Sequence, residues 1–186
     1  MRKLFTLVAL LSALALASAS YAELSGSAVA HVRVVVSPNI TITIPSPNVD
    51  AGSVQMGDFT ATIQYRVDAN KQEVSFYAEV SKLYKADDPQ GTSVVPIPIN
   101  LSEGVELKPA NGNATGGHSN VMAFTTVGST VEGYPTEQTE AVEYSSSQNN
   151  HFSQLVTVKV TYIQDDPERP TGEYSGVVKL TAFIVS

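Results

Sequence analysis

Apolar side chains alternate with polar ones along most of this chain, and this alternation limits the folds that it can adopt. Between residues 59 and 67 the apolar positions are Phe59, Ala61, Ile63, Tyr65 and Val67. Residues 74–80 repeat the pattern. A period of two residues is typical of a β-strand with one buried face, whereas a helix needs a period of about 3.6. Residues 68–72 between the two runs are rich in turn formers, so the pair predicts a β-hairpin.

The same pattern predicts further strands, and no segment has helical spacing. These strands fit residues 40–44, 94–101, 105–108, 121–127, 140–144, 155–163 and 173–185. The segments between them are rich in Gly, Pro, Asn, Asp and Ser and carry no apolar period, which is typical of turns and loops. About nine short strands at near-regular spacing predict an all-β, immunoglobulin-like antiparallel β-sandwich.

The start of the chain carries the pattern of an export signal. Two basic residues, an apolar run and the small-x-small sequence Ser20-Tyr21-Ala22 together predict a signal peptide over residues 1–22. No later run approaches the roughly 18 apolar residues that a membrane-spanning helix needs. We therefore expect an N-terminal extension over residues 23–37 and one domain over residues 38–186. We also expect a secreted product, extracellular or at the cell surface, with no integral membrane segment in the mature chain.

The charge of the chain argues against one class of partner. Of 11 basic side chains, Arg2 and Lys3 leave with the signal peptide, so 9 basic and 18 acidic side chains give the mature chain a net charge of −9. Phosphate backbones repel such a surface, and we expect no nucleic-acid binding. The chain contains no cysteine, so its stability comes from core burial, subunit contacts or bound ions.

Residues 28–36 alternate directly after the predicted signal peptide. One face carries only small and β-branched side chains, namely Ala28, Ala30, Val32, Val34 and Val36. The opposite face carries Val29, His31, Arg33 and Val35. Such a strand either closes the sheet of its own domain or adds to the sheet of a neighbour. The sequence alone leaves both alternatives open.

The end of the chain joins a turn motif to a long alternating strand. Pro170, Gly172 and Tyr174 form a Pro-x-Gly-x-Tyr turn. The strand that follows alternates through Val178, Leu180, Ala182 and Ile184. This combination resembles the closing strand of bacterial pilins of the chaperone–usher type and of spore coat U-like secreted proteins. The chain differs from many such pilins in having no cysteine pair and no tyrosine next to its C-terminus.

The resemblance implies donor-strand complementation, in which a pilin domain lacks one strand and the N-terminal extension of the next subunit fills the gap. It implies that the donor strand presents Ala28, Ala30, Val32, Val34 and Val36, and that the acceptor groove is lined by Tyr174, Val178, Leu180, Ala182 and Ile184. It further implies a head-to-tail homopolymer, a pilus or fimbria with roles in adhesion or biofilm formation. A periplasmic chaperone and an outer-membrane usher become candidate partners.

Catalytic and metal sites have little support in the sequence. His31, His118 and His151 lack a short metal-ligand spacing, and the acidic turns at 87–88 and 165–168 lack the spacing and glycine of a calcium loop. No Gly-x-Ser-x-Gly elbow occurs, and the carboxylates of the turn region at 103–106 are typical of a solubilising surface. We therefore expect no enzymatic activity, no metal and no cofactor.

Two alternatives to a filament subunit stay open. One is a secreted monomeric glycan-binding or adhesion module, whose stacking platform would use Tyr77, Tyr84, Tyr134 or Tyr144 in the absence of tryptophan. The other is a secreted coat or matrix protein that keeps its first strand in its own sheet. Three Asn-x-Ser/Thr triplets, at Asn39, Asn100 and Asn113, are candidate glycosylation acceptors in a cell with that machinery.

Overall fold

The computed structural model describes residues 30–91 and 93–185, and every regular element in these two ranges is a β-strand. The strands are β1 (Ile40–Thr43), β2 (Gly57–Ala69), β3 (Glu73–Ser81), β4 (Tyr84–Lys85), β5 (Val105–Pro109), β6 (Gly112–Ala114), β7 (Val121–Met122), β8 (Phe124–Val131), β9 (Tyr134–Thr139), β10 (Val142–Ser146), β11 (Phe152–Gln164), β12 (Tyr174–Ser175) and β13 (Val178–Phe183). The all-β class is thereby confirmed. The predicted signal peptide, residues 1–22, and Ala28 lie outside the described residues.

All strand pairs are antiparallel, and most strands belong to two sheets. Sheet A has the order β1-β2-β11-β5-β7. Sheet B is built around β3, which pairs with β10 and β9 along one edge and with β13 along the other. Beyond these, β6 pairs with β10 and β8 pairs with β9. A short separate ladder joins β4 to β12.

The two sheets share one apolar core. Phe76 of β3 packs against Phe152 of β11 with ring centroids 5.5 Å apart, and the Tyr144 hydroxyl of β10 donates a 3.4 Å hydrogen bond to the Leu107 carbonyl of β5. The fully buried side chains of sheet A include Val67, Val105, Leu107, Val156, Val158 and Val160. Since burial stabilises by about 25 cal/mol per Å² of apolar surface, this core supplies the main favourable free energy of folding.

The predicted hairpin between residues 59–67 and 74–80 is wrong. Both segments are strands, but β2 pairs with β1 and β11 in sheet A, whereas β3 belongs to sheet B. Residues 70–72 carry the chain from one sheet to the other. An alternating strand buries the same face whether it pairs with the next strand in a hairpin or lies in the opposite sheet. The alternation therefore could not distinguish the two arrangements.

Other predicted strands differ in extent. Residues 94–101 make only isolated bridges, Leu83 with Ile97 and Ile99 with Tyr162, since Pro96 and Pro98 cannot donate to a ladder. The closing strand is divided into β12 and β13. Gly176 lies at the break, where an added Cβ would stand 2.5 Å from the Lys82 carbonyl oxygen. The sequence pattern also missed β9, whose residues YPTEQT are mostly polar.

Candidate functional site

β1 and β13 each leave one edge unpaired, as do the other terminal strands β6, β7 and β8. β1 ends sheet A and pairs with β2, and β13 ends one side of sheet B and pairs with β3. Within the described part of the chain, no strand pairs with the other edge of either. The two strands also lie close to one another. Their unpaired edges therefore run along the same side of the domain.

The apolar side chains along this side are incompletely buried. In the inward row of the closing strand, Leu180 is buried at 6% exposure, whereas Val178, Ala182 and Ile184 pack against the core but stay half-buried. Across from them, Ile40 and Ile42 of β1 are also half-buried against the core. We call this region the open edge, namely the unpaired side of β13 with Ile40, Ile42, Val178, Leu180, Ala182 and Ile184. A further strand placed there would complete the burial of these side chains.

Backbone hydrogen bonds identify which residues of β13 face the open edge. The Val177 carbonyl accepts a 3.0 Å hydrogen bond from the Ser81 amide, so it points toward β3. Since backbone groups alternate sides along a strand, those of Val178, Leu180, Ala182 and Ile184 point away from β3. The Tyr65 hydroxyl agrees with this direction, because it donates a 2.7 Å hydrogen bond to the Val178 carbonyl. The open edge thus offers a row of backbone donors and acceptors beside an apolar row.

A buried carboxylate fixes β13 on β3. Lys179 lies opposite Glu79, and its Nζ is 2.6 Å from Oε2 of Glu79, whose side chain is only 3% exposed. The same carboxylate accepts hydrogen bonds from the Ser129 amide at 2.8 Å and from the Ser129 hydroxyl. Burial alone raises the pKa of Glu79, but the bonds from Lys179 and Ser129 outweigh it and lower the pKa to about 2. The ion pair is therefore intact at neutral pH and holds the open edge in position.

The chain enters β1 at the turn between β2 and β3, residues 70–72, which we call the turn end of the domain. The Asn70 side chain donates to the Ser37 carbonyl at 2.9 Å and accepts from the Asn39 amide at 2.7 Å. The Asn70 amide donates to the Asn39 carbonyl at 3.2 Å. Three hydrogen bonds from one residue thus hold the backbone on both sides of Pro38, whose ring fixes its own φ.

The closing strand finishes at the same turn end. Phe183 pairs with Ser75, near the start of β3, whereas Val178 pairs with Val80, near its end. A cavity of about 420 Å³ lies where the closing strand finishes, and its lining includes Gln72, Glu73, Ile184 and Val185. The last residues of the closing strand therefore border a recess at the turn end.

The predicted donor row lies just before residues 37–39. Ala30, Val32, Val34 and Val36 are all exposed, Val34 at 81%, and residues 30–36 form no strand in the part of the chain that the structure describes. Ala28, the first member of the row, lies outside the described residues. A run of solvent-exposed valines is a feature of interaction segments, because apolar surface of this kind is normally covered.

Four of the five predicted groove residues lie together, and one does not. Val178, Leu180, Ala182 and Ile184 line the open edge, whereas Tyr174 belongs to β12, where it pairs with Lys85. The Tyr174 hydroxyl donates a 2.8 Å hydrogen bond to the Pro170 carbonyl and so fixes the turn before the closing strand.

Three residues of this region were missed by sequence reasoning. Ile40, Ile42 and Tyr65 alternate with polar residues, and that signal identified their inward faces. It could not show that β1 lies beside β13, or that Tyr65 reaches across to Val178. Those contacts depend on how the two sheets pack.

The tyrosines proposed for a glycan platform do not assemble into one surface. Tyr84 and Tyr134 lie together with ring centroids 5.8 Å apart. Tyr77 packs instead against Phe183 at 6.3 Å, and Tyr144 is fully buried.

The remaining candidate residues are dispersed. Within residues 30–91 and 93–185, no group of three or more His, Cys, Asp or Glu side chains could hold a metal ion. Asn39 and Asn113 are exposed, whereas Asn100 is 8% exposed and accepts a 2.6 Å hydrogen bond from the Ser102 hydroxyl.

Comparison with known proteins does not assign the chain: no family model, curated protein or solved structure matches it. In the described residues, no helix has the length and apolar character needed to cross a membrane. A functional proposal therefore has to rest on the open edge and the exposed valines.

Proposed function

We propose that this protein is the structural subunit of an extracellular filament, in which the N-terminal extension of one subunit completes a sheet of the next by donor-strand exchange. In this proposal the domain is an immunoglobulin-like β-sandwich that lacks one strand between β13 and β1. The observation that carries the proposal is the unpaired edge of β13 beside the half-buried Ile40 and Ile42. The signal peptide over residues 1–22 would deliver the subunit to the cell surface.

Strand addition would bury the exposed valines of the extension and give the backbone groups of the open edge hydrogen-bond partners. Covering Val32, Val34 and Val36 would stabilise the joint by on the order of 5 kcal/mol at about 25 cal/mol per Å². Each backbone hydrogen bond of the new ladder would add roughly 0.5–1.5 kcal/mol. A joint of this kind needs no disulfide, which agrees with the absence of cysteine from the chain.

The turn end favours addition to a neighbouring subunit over addition to the same domain. To lie beside its own β13, the extension would have to reverse direction at residues 37–39 and run parallel to β13. Those residues form neither a turn nor a bend, and Asn70 bonds the backbone on both sides of Pro38. In a head-to-tail neighbour the extension needs no reversal and runs antiparallel to β13.

The oligomeric state of the mature chain, residues 23–186, tests the proposal. We expect the mature chain to form polymers by light scattering and uniform filaments by negative-stain microscopy. Deleting residues 23–36 should give a monomer. A synthetic peptide of residues 28–36 should bind this monomer and raise its melting temperature, because a ligand specific for the folded state stabilises it by mass action. A mature chain that stays monomeric, or a truncated chain that polymerises equally well, would contradict the proposal.

One observation favours a second candidate function, a glycan-binding surface. The Tyr84 and Tyr134 rings are half-buried side by side, and the Tyr134 hydroxyl donates a 3.3 Å hydrogen bond to the Asp87 carboxylate. Aromatic faces beside a carboxylate are groups that contact sugar rings and hydroxyls. Calorimetry with neutral oligosaccharides would support this function if a monomeric wild-type chain binds, Tyr134→Ala abolishes binding and Tyr77→Ala preserves it.

A further inference from the structure

The open edge has a defined limit at Val178. The Tyr65 hydroxyl donates its hydrogen bond to the Val178 carbonyl, and Tyr65 itself is almost fully buried. A buried hydroxyl that lost this acceptor would be left unsatisfied, so the bond is expected to persist when a strand is added. Burial raises the pKa of Tyr65 to about 12, and the group therefore remains a donor at neutral pH. An added strand finds free backbone groups at Leu180, Ala182 and Ile184 but a carbonyl that is already bonded at Val178.

An antiparallel strand with its valines facing the core can bind in registers that differ by two residues. In the first register Val34 lies opposite Leu180 and Val36 lies opposite Val178. A shift toward the start of β13 places Val34 opposite Val178. A shift toward the turn end places Val34 opposite Ala182.

Charge disfavours the shift toward the start of β13. That register places Arg33 directly opposite Lys179, whose ammonium already pairs with Glu79, so Arg33 would lie beside a like charge without a carboxylate of its own. It also carries Val36 past the limit at Val178, to a position opposite Gly176. The apolar face of Val36 would then leave the inward row of β13.

Asn70 disfavours the shift toward the turn end. That register draws Ser37 and Pro38 of the donor chain into the ladder, although Asn70 of the donor's own domain holds Ser37 and Asn39. Pro38 has no amide hydrogen to donate. The first register leaves residues 37–39 free to remain in these bonds.

We infer that the donor strand binds with Val34 opposite Leu180 and Val36 opposite Val178, the last pair before the break at Gly176. This inference rests on the proposed function. In this register the inward pairs are the hydrogen-bonded ones, although Val178 takes part through its amide alone because its carbonyl accepts from Tyr65. Arg33 and Thr181 form an outward pair without hydrogen bonds. Cα atoms in such a pair are about 4.5 Å apart, which is within the range of a disulfide.

Cysteine pairs test the register in a chain that has no cysteine of its own. Thr181→Cys is combined with one of three cysteines in the extension. Arg33→Cys reports the inferred register. His31→Cys reports the shift toward the start of β13, and Val35→Cys reports the shift toward the turn end. Each filament is oxidised mildly and run on a denaturing gel without reductant. Thr181→Cys with Arg33→Cys should give a covalent ladder several-fold stronger than the other two pairs. Each single-cysteine variant serves as the background control.

The outcomes separate the register from the function. A strongest ladder in either of the other pairs would overturn the register and leave the filament proposal standing. Disulfides only within monomers would overturn both, because the strand would then lie in its own domain. No disulfide in any pair would overturn the register.

Discussion

β11 and β13 carry the same alternation of apolar residues but differ in their pairing. β11 pairs with β2 over its whole length and with β5 on its other edge, and all of its inward side chains are buried. β13 pairs with β3, and in its inward row only Leu180 is buried. The alternation thus determines which face a strand buries, whereas the burial of that face also depends on the strands that surround it.

This contrast indicates that the apolar side chains of the open edge lack a neighbouring strand. Val67 and Ala69 of β2 lie between β1 and β11 and are buried, so their burial requires nothing outside the domain. Val178, Ala182 and Ile184 have the same chemistry but pack against the core from one side only. An additional strand at the open edge would make the two regions alike.

The largest expected effect comes from placing an aspartate in each region. Val158→Asp puts a carboxylate into a fully buried position of β11, at a cost of several kcal/mol, and should abolish cooperative unfolding measured by circular dichroism. Val34→Asp changes an exposed residue of the extension and should leave the fold intact, but it should abolish polymers measured by light scattering. Arg33→Ser, on the opposite face of the same segment, is the control and should polymerise. Normal polymerisation of Val34→Asp would show that the valine row of the extension is not buried on assembly.

A smaller effect should follow from the carboxylate that holds β13 on β3. The pKa of Glu79 is lowered from 4.5 to about 2, so its stabilising contribution is present above pH 4.5 and is lost as the pH falls toward 2. We expect a loss on the order of 2–3 kcal/mol over this range in urea unfolding of the monomeric Val34→Asp chain. Glu79→Gln should remove that part of the pH dependence. An identical pH profile in Glu79→Gln would show that the ion pair does not stabilise the edge.

The smallest effect on stability is expected at the turn end. Asn70→Ala removes two exposed hydrogen bonds and should lower the free energy of unfolding by about 1 kcal/mol or less. Because it releases the backbone on both sides of Pro38, it should nevertheless reduce polymer yield. Asn70→Asp keeps the acceptor for the Asn39 amide and should give an intermediate yield. Equal yields in both variants and the wild type would show that residues 37–39 need no support from Asn70.

The sequence was sufficient to predict the all-β class and the buried faces of the long strands. In β2 and β11, every second side chain is apolar over many residues, and only a strand places such residues on one face. The alternation of Val178, Leu180 and Ala182 likewise identified the apolar face of the closing strand, whereas their place in a groove was implied only by the resemblance to pilins.

Strand partners could not be predicted, because they depend on contacts between distant segments. Glu79 meets Ser129 and Lys179, and Tyr65 meets Val178, although these residues are far apart in the chain. The short link at residues 70–72 looked like a hairpin turn, but it crosses between sheets. For the same reason, the alternation in residues 30–36 predicts a strand without showing which sheet it joins.

Hydrogen exchange at the open edge tests donor-strand exchange itself, since it reports whether the backbone groups of β13 acquire a partner on assembly. The amides of Leu180, Ala182 and Ile184 would be compared between wild-type filaments and the monomeric Val34→Asp chain, with Val158 and Val160 of β11 as internal references. We expect the three amides to exchange rapidly in the monomer and slowly in the filament, and the two reference amides to be slow in both. Slow exchange of all three amides in the monomer, or equally rapid exchange in the filament, would contradict donor-strand exchange.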